Sequence, residues 1–167
     1  MKRSLVFVFF VLGACVFAPA MAKTLSLHSE YAIVVDRATG AILYEKSSTE
    51  SAPIASVTKL MTAMVLIDQR LDPDEVLTVT EDDVDTVKHS SSRLRVGAKM
   101  TREEMLRVAL MSSENRAAHA LARTSPGGVA GFVVAMNRKA REYGMGGTHY
   151  VDPTGLSPDN VSTATAL

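Results

Sequence analysis

Residues 53–69, PIASVTKLMTAMVLIDQ, constrain the fold more than any other stretch. Pro53 bars an earlier helix start, because the residue before a proline is pushed out of the α region. After it, Val57, Leu60, Met61, Ala63, Met64, Val65, Leu66 and Ile67 set apolar side chains on every face of one helix. A helix of that kind lies inside a domain and needs other elements around it. Its first turn nevertheless holds Ser56 and, one turn on along the same face, Lys59. A helix N-terminus favours developing negative charge. A desolvated lysine should have a lowered pKa, and a neutral amine one turn away can accept a serine proton. Ser56 as a plain N-cap, with Lys59 reaching to solvent, explains the same residues. On the helix alone both readings stand.

Around this helix the chain reads as a mixture of strands and helices. Tyr31–Asp36 and Ala41–Glu45 are β-rich and joined by a short turn ending in Gly40, which predicts an antiparallel hairpin. Lys46–Ala52 is a polar loop, and Val76–Thr80 suits a short strand. Glu81–Asp85 is acidic but lacks the spacing of a calcium loop, so a solvated face is expected. Thr101 and Glu104 form a capping box that opens a helix through Met111. Ser112-Ser113-Glu114-Asn115 interrupts it with residues that favour caps and turns, and Arg116–Ala122 resumes helix. Val129–Tyr143 is a further amphipathic helix with Gly144 as its cap. His149–Val151 is extended, Asp152–Leu156 is a turn, and Ser162 is placed to cap another helix. His28, His89, His119 and His149 show no metal-ligand spacing. His119, four residues after Asn115, is expected to be an ordinary helix histidine. One hairpin and one short strand are too few for a finished sheet. The expectation is the first half of an α+β domain.

The N-terminus argues for export. Lys2 and Arg3 precede an apolar run from Leu5 to Phe17, and Ala20-Met21-Ala22 is a cleavage site of A-x-A type. This predicts a signal peptide over residues 1–22 and a mature domain over 23–167. The rival is a lipoprotein box ending at Cys15. Cys15 is the only cysteine, so residues 23–167 offer no disulfide, thiol nucleophile or cysteine metal site. The chain is neutral overall with 18 basic and 18 acidic residues. Losing Lys2 and Arg3 leaves the mature part slightly acidic, which argues against nucleic acid as a partner.

Two motifs together carry a resemblance. Ala55-Ser56-Val57-Thr58-Lys59-Leu60-Met61-Thr62-Ala63 and Met111-Ser112-Ser113-Glu114-Asn115-Arg116-Ala117-Ala118 resemble the penicillin-recognising serine peptidases, whose set is S-x-x-K, S-D-N and K-T-G. Within them the chain is similar to the low-molecular-mass penicillin-binding proteins, the D-alanyl-D-alanine carboxypeptidases and endopeptidases. Asp152-Pro153-Thr154-Gly155-Leu156-Ser157, Asn160 and Ser162-Thr163-Ala164 add to the match, and Ser90-Ser91-Ser92-Arg93-Leu94 with the acidic run points to the endopeptidase branch. The resemblance implies Ser56 as acylated nucleophile, Lys59 as general base, Ser113 as proton relay and Asn115 as a holder of the substrate backbone. It implies peptidoglycan stem peptides as substrate, β-lactams as covalent inhibitors, no metal or cofactor, a periplasmic setting and peripheral association with the membrane. It also implies a five-stranded antiparallel sheet flanked by helices. No Lys-Thr-Gly, Lys-Ser-Gly or His-Thr-Gly follows Asn115. The expectation is therefore a chain bearing the nucleophile side of a site, with an apolar helix face short of cover. The rival classes are an inactive fragment or cell-wall-binding remnant, and a serine β-lactamase, against which no separate deacylating carboxylate is recognisable.

Overall fold

The computed structural model describes residues 26–167. The signal segment 1–22 and Cys15 lie outside the described residues. The chain first forms the expected hairpin, β1 (Ala32–Val35) and β2 (Ile42–Lys46). The strands pair antiparallel with Ala32 opposite Lys46 and Val34 opposite Tyr44. Their turn is built by Asp36, whose Oδ1 accepts from the Ala38 and Thr39 amides at 2.9 and 2.8 Å, an Asx turn. Among the described elements the hairpin packs on no other strand or helix.

The helices form the body. α1 (Thr58–Gln69) follows a short 3₁₀ turn at Ala55–Val57 and ends where Arg70 adopts a left-handed conformation. α2 (Arg102–Met111) begins at the expected capping box: Thr101 Oγ1 accepts from the Glu104 amide, and Glu104 Oε2 from the Thr101 amide. α3 (Asn115–Arg123) is capped by the Glu114 carboxylate, which accepts from the Arg116 amide. α4 (Gly128–Glu142) is followed by Gly144 at φ +66°. The alanines of α3 explain its central place. Ala117, Ala118, Ala120 and Ala122 are buried without projecting far, so the neighbouring helices approach closely. Met61 and Val65 of α1, Met105 and Ala109 of α2, and Phe132 and Met136 of α4 close around it.

Two further strand pairs were not legible as pairs. β4 (Val76–Thr78) pairs antiparallel with β5 (Lys99–Thr101). β3 (Ala52–Pro53) pairs with β6 (Val161–Ser162), Ala52 facing Ser162. This short pairing brings residues 149–162 against the start of α1. Ser162 is thus a strand residue, and Thr163 instead caps the last turn by accepting from the Ala166 amide at 3.1 Å.

One expectation is corrected in part. The acidic run is a solvated face only at Glu81 and Asp82, which are exposed, whereas Asp83 and Asp85 are buried. Asp83 takes Nε and Nη2 of Arg123 at 3.0 and 2.8 Å and has His119 Nδ1 2.8 Å away. These partners come from α3, which local composition does not reveal. α1 is left without cover along one face, as the sequence leads one to expect. Val57, Leu60 and Ile67 are exposed, Leu60 at 60% and Ile67 at 66%, and they share one helical stripe with the half-buried Met64. The opposite face, Met61 and Val65, is core.

Candidate active site

The nucleophile candidate lies on the 3₁₀ turn, just ahead of α1. Ala55 carries φ +45°, a left-handed conformation that costs a non-glycine residue energy and persists only where packing over-determines it. Gly155 shows why it persists. A Cβ on Gly155 would lie 1.8 Å from the Ala55 carbonyl oxygen, so only glycine lets these two backbone segments meet. Ser56 is exposed, whereas Lys59, one turn on, is only 3% exposed.

The turn against Ser56 and α1 is organised by Asp152. Its Oδ1 accepts from the Thr154 amide, the Thr154 hydroxyl and the Gly155 amide at 2.6–2.7 Å, and its Oδ2 from the Ser157 amide at 2.9 Å. Burial pushes the Asp152 carboxyl up, but those hydrogen bonds outweigh it and hold it below its ordinary range. The turn aims two carbonyls at α1. Pro153 O accepts from the Thr62 hydroxyl, and Thr154 O accepts from Lys59 Nζ, both at 2.7 Å. Asn160, fully buried, locks the turn. Its Oδ1 accepts from the Val151 and Asp152 amides, and its Nδ2 donates to Asp152 O and to Thr58 Oγ1.

The second motif completes the cluster from the other side. Ser113, between α2 and α3, has φ +54°, a second strained position at the same site. Its hydroxyl donates to Ser56 Oγ at 2.8 Å. Asn115, the first residue of α3, accepts from Lys59 Nζ with its Oδ1 at 2.8 Å and donates from Nδ2 to Ser90 Oγ at 3.0 Å. Lys59 Nζ also lies 3.2 Å from Ser56 Oγ. Four residues from two distant motifs, Ser56, Lys59, Ser113 and Asn115, therefore meet at one point. His119 stands apart from them, engaged with Asp83. Among the described residues no group of three or more His, Cys, Asp or Glu side chains is placed to hold a metal ion.

Burial pushes the Lys59 amine down to about 8, against the pull of the Asp152 and Glu114 carboxylates. About a tenth of the amine is then neutral at pH 7, against well under a thousandth for an ordinary lysine. Two of its positions face carbonyl oxygens, Asn115 Oδ1 and Thr154 O, which can only accept. A neutral amine spends its two N–H bonds there and turns its lone pair to the Ser56 hydroxyl. That is the geometry of an activated serine.

Comparison with known proteins shows the family. A model of the D-alanyl-D-alanine carboxypeptidase family matches residues 18–167. The chain belongs to this family. It is 52% identical over 141 residues to a D-alanyl-D-alanine endopeptidase of Pseudomonas aeruginosa, covering 84% of this chain and 46% of that one. It is 46% identical over 160 residues to the Escherichia coli D-alanyl-D-alanine endopeptidase, covering 90% of this chain and 52% of the relative. To the Bacillus subtilis carboxypeptidase DacF it is 37% identical over 141 residues, covering 81% of this chain and 36% of the relative. Among solved structures, penicillin binding protein 6B of Escherichia coli superposes with a TM-score of 0.75 at 31% identity. It covers 89% of this chain and 50% of that one. The α+β, D,D-peptidase-like fold class expected from the motifs is the fold of these neighbours. This D-alanyl-D-alanine carboxypeptidase family chain spans about half the length of the curated relatives it matches.

Three contributors to the cluster belong to stretches that add to the resemblance, but their roles were not legible in the sequence. Thr154 acts through its main-chain oxygen, Gly155 through its missing side chain, and Ser90 through a loop that only the fold brings to Asn115. A D-P-T-G turn was visible, but its contact with Lys59 bridges 95 residues.

Proposed function

We propose that the chain supplies the nucleophile, base and proton relay of an exported serine D,D-peptidase that cleaves the D-alanyl bonds of peptidoglycan stem peptides. The supporting observation is the setting of Lys59 Nζ. It is held by two carbonyl acceptors with its remaining position 3.2 Å from Ser56 Oγ. In the proposed reaction the neutral Lys59 amine takes the Ser56 proton as Oγ attacks the D-alanyl carbonyl carbon. The tetrahedral intermediate collapses with cleavage of the C–N bond, and a proton reaches the leaving amine through Ser113. The ester on Ser56 is then hydrolysed by water, whose proton Lys59 accepts. A β-lactam follows the first half of this path. Its ring amide opens, the new amine stays attached, and an ester remains on Ser56.

Endopeptidase action on cross-links is favoured over carboxypeptidase action. Identity is 52% and 46% to the two endopeptidases described above, against 37% for the Bacillus carboxypeptidase. Export to the cell envelope, with residues 1–22 as signal peptide, is part of the proposal and rests on the sequence pattern.

The test is covalent labelling of the intact gene product with a fluorescent penicillin, mapped by peptide mass spectrometry. The expected adduct sits on Ser56 and is lost in Ser56→Ala. Lys59→Met is expected to slow labelling by about 10²–10⁴-fold, the usual worth of a general base. Labelling that survives in Ser56→Ala, or an intact product that takes no label, overturns the proposal in favour of an inactive remnant.

A further inference from the structure

Asn115 faces Lys59 with its oxygen and not with its nitrogen. An asparagine amide is close to symmetric in shape, so something must choose between the two orientations. The choice traces back to Asp85, which lies in the 85–94 loop. The Asp85 carboxylate accepts from the Val87 and Lys88 amides at 2.8 and 3.0 Å with Oδ1. With Oδ2 it accepts from the Ser90 amide at 2.8 Å and the Ser90 hydroxyl at 2.6 Å. A carboxylate held this way is ionised and only accepts.

Each following group then has one orientation left. The Ser90 hydroxyl must spend its only proton on Asp85. Its oxygen is thereby left as an acceptor towards Asn115, which answers with Nδ2 at 3.0 Å. That turns Oδ1 to Lys59 at 2.8 Å. The loop cannot drift from this register. Ser92 Oγ donates to Glu114 Oε1 at 2.7 Å, and Arg116 Nη1 donates to Leu94 O at 2.7 Å, so the loop is fixed on both sides of the Asn115 contact.

We infer that Asp85 and Ser90 are positioning residues of the site. Through the Asn115 amide they present a carbonyl oxygen to Lys59 and so direct the amine lone pair at Ser56. This rests on the reading of Lys59 as the base for Ser56. A flipped amide would offer Lys59 two N–H donors, leave one amine hydrogen without an acceptor and release the lone pair from Ser56. Asp85→Asn is the informative change, because an asparagine there can donate to Ser90. The hydroxyl proton of Ser90 is then free for Asn115, and the whole series reverses.

The experiment measures β-lactam acylation of the intact gene product against pH, together with the Asn115 side-chain amide signals in ¹⁵N NMR. Ser90→Ala and Asp85→Asn are expected to lower the plateau acylation rate about 10–10²-fold, the scale of a misplaced reacting group. Their pH midpoint is expected below that of the wild type, since the Lys59 ammonium loses a carbonyl acceptor. The Asn115 amide signals are expected to move in both. Ser90→Thr, which keeps the hydroxyl, is expected to retain most of the rate. Asp85→Asn also loosens the loop, so Ser90→Ala decides where the two differ. Unchanged rate, midpoint and amide signals in Ser90→Ala overturn the inference while leaving acylation of Ser56 intact. Should the wild type take no β-lactam, the functional reading fails, and the Asn115 signals in Ser90→Ala still decide the positioning role.

Discussion

At the scale of residues, the charges are the ones that matter, and they are buried in opposite states. Lys59 is a cation pushed towards neutrality by burial. Asp83 is an anion kept ionised: burial pushes its carboxyl up, but hydrogen bonds from His119 and Arg123 outweigh it and hold it well below the usual range. A depressed carboxylate contributes stability that is present above its unfolded pKa of about 4 and lost as pH falls below it. The chain is therefore expected to lose stability on acidification below about pH 4, and Asp83→Ala should flatten that loss in urea titrations across pH. The same variant is expected to cost about 3 kcal/mol at neutral pH, because it leaves the Arg123 guanidinium without its carboxylate. Lys59 works in the same direction in a higher window, because its pKa is also lowered on folding. Folding stability should rise as pH goes from about 8 towards the ordinary lysine value, where the unfolded chain still binds the extra proton. Gly155→Ala is expected to be among the most damaging small changes, since its Cβ would fall 1.8 Å from Ala55 O. A drop in melting temperature together with slower Ser56 acylation would check it.

At the scale of elements, the sequence was most legible where the signal is local. The Thr101/Glu104 capping box placed α2, Gly144 closed α4, and the turn ending in Gly40 placed the hairpin, each because a cap or turn is decided within four residues. The pairing of β3 with β6 was not legible. Two residues on each side carry no periodicity, and they meet across more than a hundred positions. The acidic run failed for the same reason: Asp83 is buried by α3, not by its neighbours. α1 was legible in kind and in its missing cover. Its apolar side chains surround it, and Val57, Leu60 and Ile67 face outwards in this structure. The consequence is a contrast within one helix. Leu60→Lys and Ile67→Lys are expected to change stability by no more than about 0.5 kcal/mol. Met61→Ala, on the opposite face, should cost about 2–5 kcal/mol. Equal losses at both faces in chemical denaturation would mean that the stripe is covered in solution.

At the scale of the whole molecule, the helical body and the candidate site form one construction. α1 brings Ser56 and Lys59, the α2–α3 junction brings Ser113 and Asn115, and the β3–β6 pairing brings Thr154. The body leaves two apolar surfaces uncovered: the α1 stripe borders a cavity of about 380 Å³ lined by Val57, Leu60, Met64, Tyr143 and Met145, and the hairpin exposes Ile42 and Leu43. The sequence implies an apolar helix face short of cover, and this is that face. The four residues named from the motifs are 3.2 Å apart or less along the chain of contacts from Ser113 through Ser56 and Lys59 to Asn115. Everything proposed about the chemistry converges on the protonation state of one amine. Its direct measurement is the NMR titration of the Lys59 Cε signal in ¹³C-lysine-labelled protein, assigned by its loss in Lys59→Arg. A midpoint near 8 is predicted, and a midpoint near the ordinary 10.5 of lysine would contradict the assignment of Lys59 as the base for Ser56.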